Sequence, residues 1–310
     1  MDLLLPVKWV IEAILVLFYK VFSFLTQAPD AGITWVLSII GLVLVVRAAL
    51  IPVFVRQIKS QRNMLVMQPE LQKLQKKYKG KTDRESREKF AAEQMALYKR
   101  TGSNPLSSCL PLLLQMPIFA ALFFTLNGAQ HDKQGVAFLT AEMAKSFSSA
   151  TLFGARLSET FLTAQSMNVQ ILAAVMVLVM TATQFITQKQ ILAKNQNPDV
   201  NNSQYAQTQK IMLYVFPVVF MISGISFPLG VMFYWLTSNF WTMGQQFLVI
   251  RNMPTPGSIA HRQREERLAR KGKLKKGEPV TAADVLLEET EIVNTQREQP
   301  VGKKRAKKKG

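Results

Sequence analysis

Five apolar stretches, each near the length needed to cross a lipid bilayer, restrict what this chain can fold into more than any other feature. They occupy 33–55, 106–126, 169–186, 211–225 and 228–250. A hydrocarbon core takes about 20 mostly apolar residues in helical form. Backbone groups inside it find no water to bond, so such stretches read as helices. The fourth is short, and Phe227-Pro228 follows it at once. Residues 224–228 therefore read as a tight turn joining the last two spans as a hairpin. A sixth stretch, 7–25, carries Lys8, Glu12, Lys20, Ser23 and Gln27 near one helical face. That stripe predicts an amphipathic helix lying in the membrane interface. A true span and an uncleaved signal sequence are the alternatives.

Charge sets the orientation. Charged residues make up 19% of the chain, yet the net charge is +18. Residues 56–100 hold thirteen Lys and Arg against five Asp and Glu, and 251–310 hold sixteen against eight. The loop 127–166 holds three of each. Basic loops stay in the cytoplasm, so 56–100 and the tail are expected inside and 127–166 outside. Five spans then leave the N-terminus outside and the C-terminus inside, at a cell membrane.

The polar segments are organised too. In the first half of 56–103, Met64, Met67, Leu71, Leu74 and Tyr78 recur at helical spacing, and Gly80 reads as a C-cap. Thr82-Asp83-Arg84-Glu85 reads as a capping box opening a second helix. There Ala91, Met95 and Tyr98 face the first, and Gly102 closes it, giving an antiparallel cytoplasmic hairpin. The tail reads as mostly disordered, with a short helix at 281–294 and a basic end that suits ribosomal RNA or anionic lipid. Segment by segment, the expected organisation is an interfacial helix in 1–30, the first span in 31–58 and the hairpin in 59–104. Spans two to five follow in 105–250, and the tail in 251–310.

Within the spans there is no Asp or Glu, and one Arg lies deep, Arg47. A charge at that depth is costly and usually faces a wet cavity. Arg47 stands nine residues before Arg56, roughly 13 Å along a helix. Snorkelling to the cytoplasm would fight the lean of helical side chains toward their own N-terminus. Gln115, Gln184, Gln188, Ser238 and Asn239 are the other polar residues that could line one groove with Arg47. Its field would be positive, with no carboxylate relay for protons. Cys109 sits in an apolar stretch and reads as a small buried residue. His131 and His261 lie far apart, so no metal or cofactor is expected. No phosphate-binding loop is present, and no enzyme is expected.

Several ordered motifs give a resemblance. Arg47 followed by Leu50-Ile51-Pro52, then Met67-Gln68-Pro69-Glu70 and Asn104-Pro105-Leu106, resemble the YidC family of membrane insertases. So do Leu114-Gln115-Met116-Pro117-Ile118 and Phe233-Tyr234-Trp235-Leu236-Thr237-Ser238-Asn239. The resemblance covers about 34–250. It implies an all-α membrane protein whose five transmembrane helices surround a hydrophilic groove open to cytoplasm and lipid. It implies insertion of nascent membrane proteins, alone or beside the Sec translocon. Arg47 aligns with the family's groove arginine, Gln115 and Gln188 with polar groove positions, and Trp235 with an aromatic one. The short, Gram-positive-like form fits, without the lipobox cysteine found in some of its groups. A small-solute secondary transporter is the alternative, but it should show paired half-repeats and an ionisable coupling residue.

Overall fold

A computed structural model of the chain describes residues 4–100, 110–195, 211–255 except 212, 216, 220 and 223, and 258–272. Nine helices run through the described residues: α1 Leu5–Thr26, α2 Gly32–Ala49, α3 Ile51–Tyr78, α4 Arg84–Arg100, α5 Leu110–Ala129, α6 Ala141–Ser149, α7 Met167–Asn195, α8 Leu229–Asn252 and α9 Ile259–Arg270. A two-residue hairpin, β1 Thr151–Leu152 with antiparallel β2 Ala155–Arg156, lies between α6 and α7. Three helical stretches, Leu5–Thr26, Gly32–Ala49 and Met167–Lys194, are long and apolar enough to cross a membrane, and Leu113–Ala129 is a shorter apolar helix. The described positions of 211–224 are helical too, and Ile211, Val215, Val218 and Ile222 stay exposed. Large apolar side chains also stay exposed on α1 (Leu17, Phe24) and α7 (Ile171, Leu178). That much bare apolar surface suits lipid rather than water.

The inner faces of α1, α2, α5, α7 and α8 share one core, centred on Leu15, Trp35, Ile39, Leu42, Leu122 and Met232. α1 packs along α2 so closely that a Cβ on Gly41 would come within 2.6 Å of the Phe18 ring. The polar stripe expected to lie wet on α1 is split. Lys20 is exposed, whereas Glu12 is 1% exposed and turned into the protein. There its carboxylate accepts the backbone N–H groups of Val136 at 2.7 Å, Ala137 at 2.8 Å and Phe138 at 3.1 Å. A buried carboxylate needs such partners, and helical periodicity cannot reveal partners 124 or more residues away.

The stretch expected as one span, 33–55, is broken at Leu50. Pro52 stands in the first turn of α3, where its missing N–H costs nothing. Hydrogen bonds continue on both sides of the break, from Leu50 N–H to Val46 O and from Phe54 N–H to Leu50 O. α2 ends at the bend, and α3 runs on from it into the first arm of the hairpin.

In the hairpin, Gly80 has the left-handed φ of +85° expected of a C-cap. The second arm is capped by Asp83, not Thr82: Ser86 N–H donates to Asp83 Oδ2 at 2.8 Å, and Glu85 pairs instead with Lys89. That bond holds the Asp83 carboxyl below the usual carboxylate range. The apolar seam joins Met67, Leu71, Leu97 and Tyr98, while Met95 is half exposed. Phe90 packs edge-on against Tyr78 at 5.7 Å. The facing stripe thus runs through Phe90, Leu97 and Tyr98, and Ala91 and Met95 are exposed. Lys77 and Tyr78 both bond Glu93 across the arms. Gly102, Cys109 and 281–294 lie outside the described residues.

The loop 127–166 is folded, which its neutral composition does not announce. Thr140 caps α6 by accepting Met143 N–H. Trp35 donates to Ser146 Oγ at 3.1 Å and stacks on Tyr19 at 4.3 Å. The loop carbonyls of Glu159 and Leu157 accept the N–H groups of Leu229 and Gly230, each at 3.0 Å. Those donors open α8 and would otherwise be unpaired. On the far side of the chain, part of the tail read as disordered is α9, capped by Ser258 accepting His261 N–H and packed against α7 and α8. A polar sequence hides such a helix when its anchor is a cap and one guanidinium, here Arg267 donating to Arg251 O at 2.7 Å.

Candidate functional site

Arg47 stands in the last turn of α2, half-buried, just before the Leu50 bend. The bend brings the Phe54 ring back under it, with the guanidinium carbon 5.7 Å from the ring centre. An aromatic face stabilises a partly desolvated cation. No ion pair to Arg47 occurs among the described residues.

α8 supplies the polar wall. Tyr234 is buried on its first turns, and Gln115 from α5 donates its Nε2–H to the Tyr234 hydroxyl. α2, which carries Arg47, packs along α8. Ser238 is buried one turn further along α8. Four helices, α2, α3, α5 and α8, thus bring Arg47, Phe54, Gln115 and Tyr234 together.

The other expected residues are placed differently. Trp235 packs in an aromatic layer beside Tyr234, 5.3 Å from Phe119 and 5.4 Å from Phe227. Gln184, Gln188 and Asn239 are half-buried, and no hydrogen bond among the described residues joins them to Arg47. The buried polar groups of α7 are Thr183 and Thr187, whose hydroxyls bond the helix's own carbonyls of Val179 at 2.9 Å and Thr183 at 2.7 Å. Sequence reasoning missed Tyr234 and Phe54 as members of the site. The available signal was a tyrosine inside a span, since a buried phenol needs a hydrogen-bond partner.

Beside the cluster, between the first turns of α3 and the second half of α8, lies an apolar cavity of about 550 Å³. Ile51, Val55 and Ile58 face Phe240, Trp241 and Leu248 across it. The arrangement is a half-buried cation with no ion pair among the described residues, a polar strip on α5 and α8, and an apolar recess on the side of the Leu50 bend.

A family model described as 60Kd inner membrane protein matches residues 25–256. Over 318 residues the chain is 40% identical to a Tropheryma whipplei (strain Twist) protein named Membrane protein insertase YidC, covering 99% of this chain and 97% of that one. The chain belongs to the YidC family. A YidC of Bifidobacterium longum is 35% identical over 319 residues, 98% of this chain and 95% of its own. Against the YidC of Streptomyces avermitilis the identity is 45% over 273 residues, 85% of this chain but 61% of that longer one. Membership makes the chain a multi-pass protein of the cell membrane. The YidC-family match ends before α9 and includes only the last residues of α1.

Proposed function

We propose that this chain inserts newly made membrane proteins and helps them fold, using the cation of Arg47 to hold a polar client segment part-way across the bilayer. The observation that carries the reading is a half-buried guanidinium in an apolar helix with no carboxylate beside it among the described residues. The core comprises five transmembrane helices: α2 with the foot of α3, α5, α7, the helix over 211–224, and α8. Arg47, Gln115, Gln184, Gln188, Trp235 and Asn239 line a groove open to the cytoplasm. The N-terminus lies outside and the C-terminus inside, in keeping with the basic loops.

Mechanism follows from solvation. A client must carry polar residues through hydrocarbon, and a wet groove of half depth shortens that path. The field of Arg47 attracts an acidic extracytoplasmic segment. The client's apolar helix then leaves along the lipid-facing sides of α7 and α8, driven by burial of apolar surface at about 25 cal/mol per Å². The test is reconstitution of the purified chain alone in liposomes with a small single-span client. Protease protection of the client's far end is expected without any translocon. Solute flux without client insertion would instead support the transporter.

The basic segments extend the reading to partners. The Sec translocon is a partner for longer clients, and the ribosome is a partner through the basic residues of 273–310 binding rRNA phosphates. Deleting 273–310 should leave insertion in liposomes unchanged and weaken ribosome co-sedimentation with a steep salt dependence. Unchanged co-sedimentation at low salt would remove the ribosome from the scheme and leave the tail to anionic lipid.

A further inference from the structure

The C-terminal ends of α7 and α8 meet α9 around a pocket of about 350 Å³. Lys194, Arg251, Arg267 and Arg270 line it, and Glu266 is the one carboxylate in the wall. Each helix contributes to this convergence: Lys194 from α7, Arg251 from α8, and Arg267 and Arg270 from α9. Cytoplasmic positive charge alone needs no concavity, and solvated charges ordinarily spread apart. Here the geometry is fixed by a bond, since Arg267 donates to Arg251 O at 2.7 Å and to Gln263 O at 3.3 Å. Arg251 and Arg270 are left exposed at the rim.

The position of the pocket selects its ligand. It begins where two long apolar helices end, at the depth where hydrocarbon gives way to head groups. One turn above Arg251, Phe247 lines the pocket and is half exposed, so the basic wall continues into an apolar flank. A phosphate held between cations with an apolar stem alongside is the chemistry of a phospholipid. We propose that this pocket binds the phosphate of an anionic phospholipid of the cytoplasmic leaflet, with the acyl chains along Phe247. The proposal rests on the orientation given above but not on insertion activity. A bound lipid would clamp α9 to the ends of both helices.

The test is native mass spectrometry of the full chain in detergent with phosphatidylglycerol or phosphatidylcholine added. The pair Arg251→Gln/Arg270→Gln should bind phosphatidylglycerol roughly tenfold more weakly or worse, given the usual contribution of each basic residue near an anionic surface. Phosphatidylcholine binding should not change. Arg251→Lys/Arg270→Lys should restore most of the affinity, and the hairpin pair Lys73→Gln/Lys81→Gln should leave it intact. Equal retention by the Gln pair, or an equal loss in the hairpin pair, overturns the site. Full displacement of phosphatidylglycerol by millimolar inorganic phosphate would assign the pocket to free phosphate and overturn the lipid. So would a loss confined to binding of a ribosomal RNA fragment.

Discussion

Arg47→Glu is expected to abolish insertion of clients with acidic extracytoplasmic segments, whereas Arg47→Lys is expected to retain most of it. Two opposite unit charges about 8 Å apart at an effective dielectric near 20 attract by about 2 kcal/mol, and reversing one sign changes this by about 4 kcal/mol. That corresponds to roughly three powers of ten in the equilibrium that holds the client. Arg47→Ala falls between, and clients without acidic segments respond less to every substitution. A guanidinium needed for its planar fork would behave otherwise, because a compact ammonium does not replace it. In that case Lys and Ala would both destabilise the protein. The measurement is protease-protected insertion in liposomes, run beside a thermal melt in detergent. Normal insertion of acidic clients by a folded Arg47→Ala protein would end the field mechanism and leave hydration of the groove to do the task.

Glu12→Ala should be the most destabilising single change on α1. It leaves the N–H groups of Val136, Ala137 and Phe138 without their acceptor. A buried donor left unsatisfied typically costs about 1–3 kcal/mol, and the cost here lies toward the low end of that range for each group because Val136, Ala137 and Phe138 are themselves exposed. Glu12→Gln keeps one acceptor oxygen and should lose less. Gly135→Ala attacks the same contact from the other side, since its Cβ would come within 2.3 Å of Glu12 Oε1. Thermal melts in detergent, with hydrogen exchange of 135–138, read all three. A Glu12→Ala protein that melts with the parent would show the contact to be incidental.

What was legible in the sequence was what depends on local pattern. The long apolar runs gave the helices because a bilayer-length stretch has few alternatives, and Gly80 gave the hairpin turn because it takes a left-handed φ. Arg47 and Gln115 stand out in the sequence because a polar group in an apolar run demands a reason. What was not legible depends on distant chain segments. Tyr234 meets Gln115 across 119 residues, and Trp35 finds Ser146 across 111. The hairpin seam was misread at two positions for a different reason: Ala91 and Met95 fit helical spacing as well as Phe90 and Leu97 do, and only packing separates them. α9 escaped because its anchors are a serine cap and one arginine, which composition counts as solvated polarity.

The contact of Glu12 with Val136, Ala137 and Phe138 also sets an order of events during synthesis. Its carboxylate is made more than a hundred residues before the amides that receive it. At about 5–20 residues per second, that interval lasts on the order of ten seconds. For that time α1 carries an anion with no partner, and hydrocarbon is closed to it. The N-terminal helix must therefore wait with Glu12 at a wet surface until residues 136–138 are made. Only then can the loop fold onto it, so this part of the molecule closes late, and it closes around the first helix made.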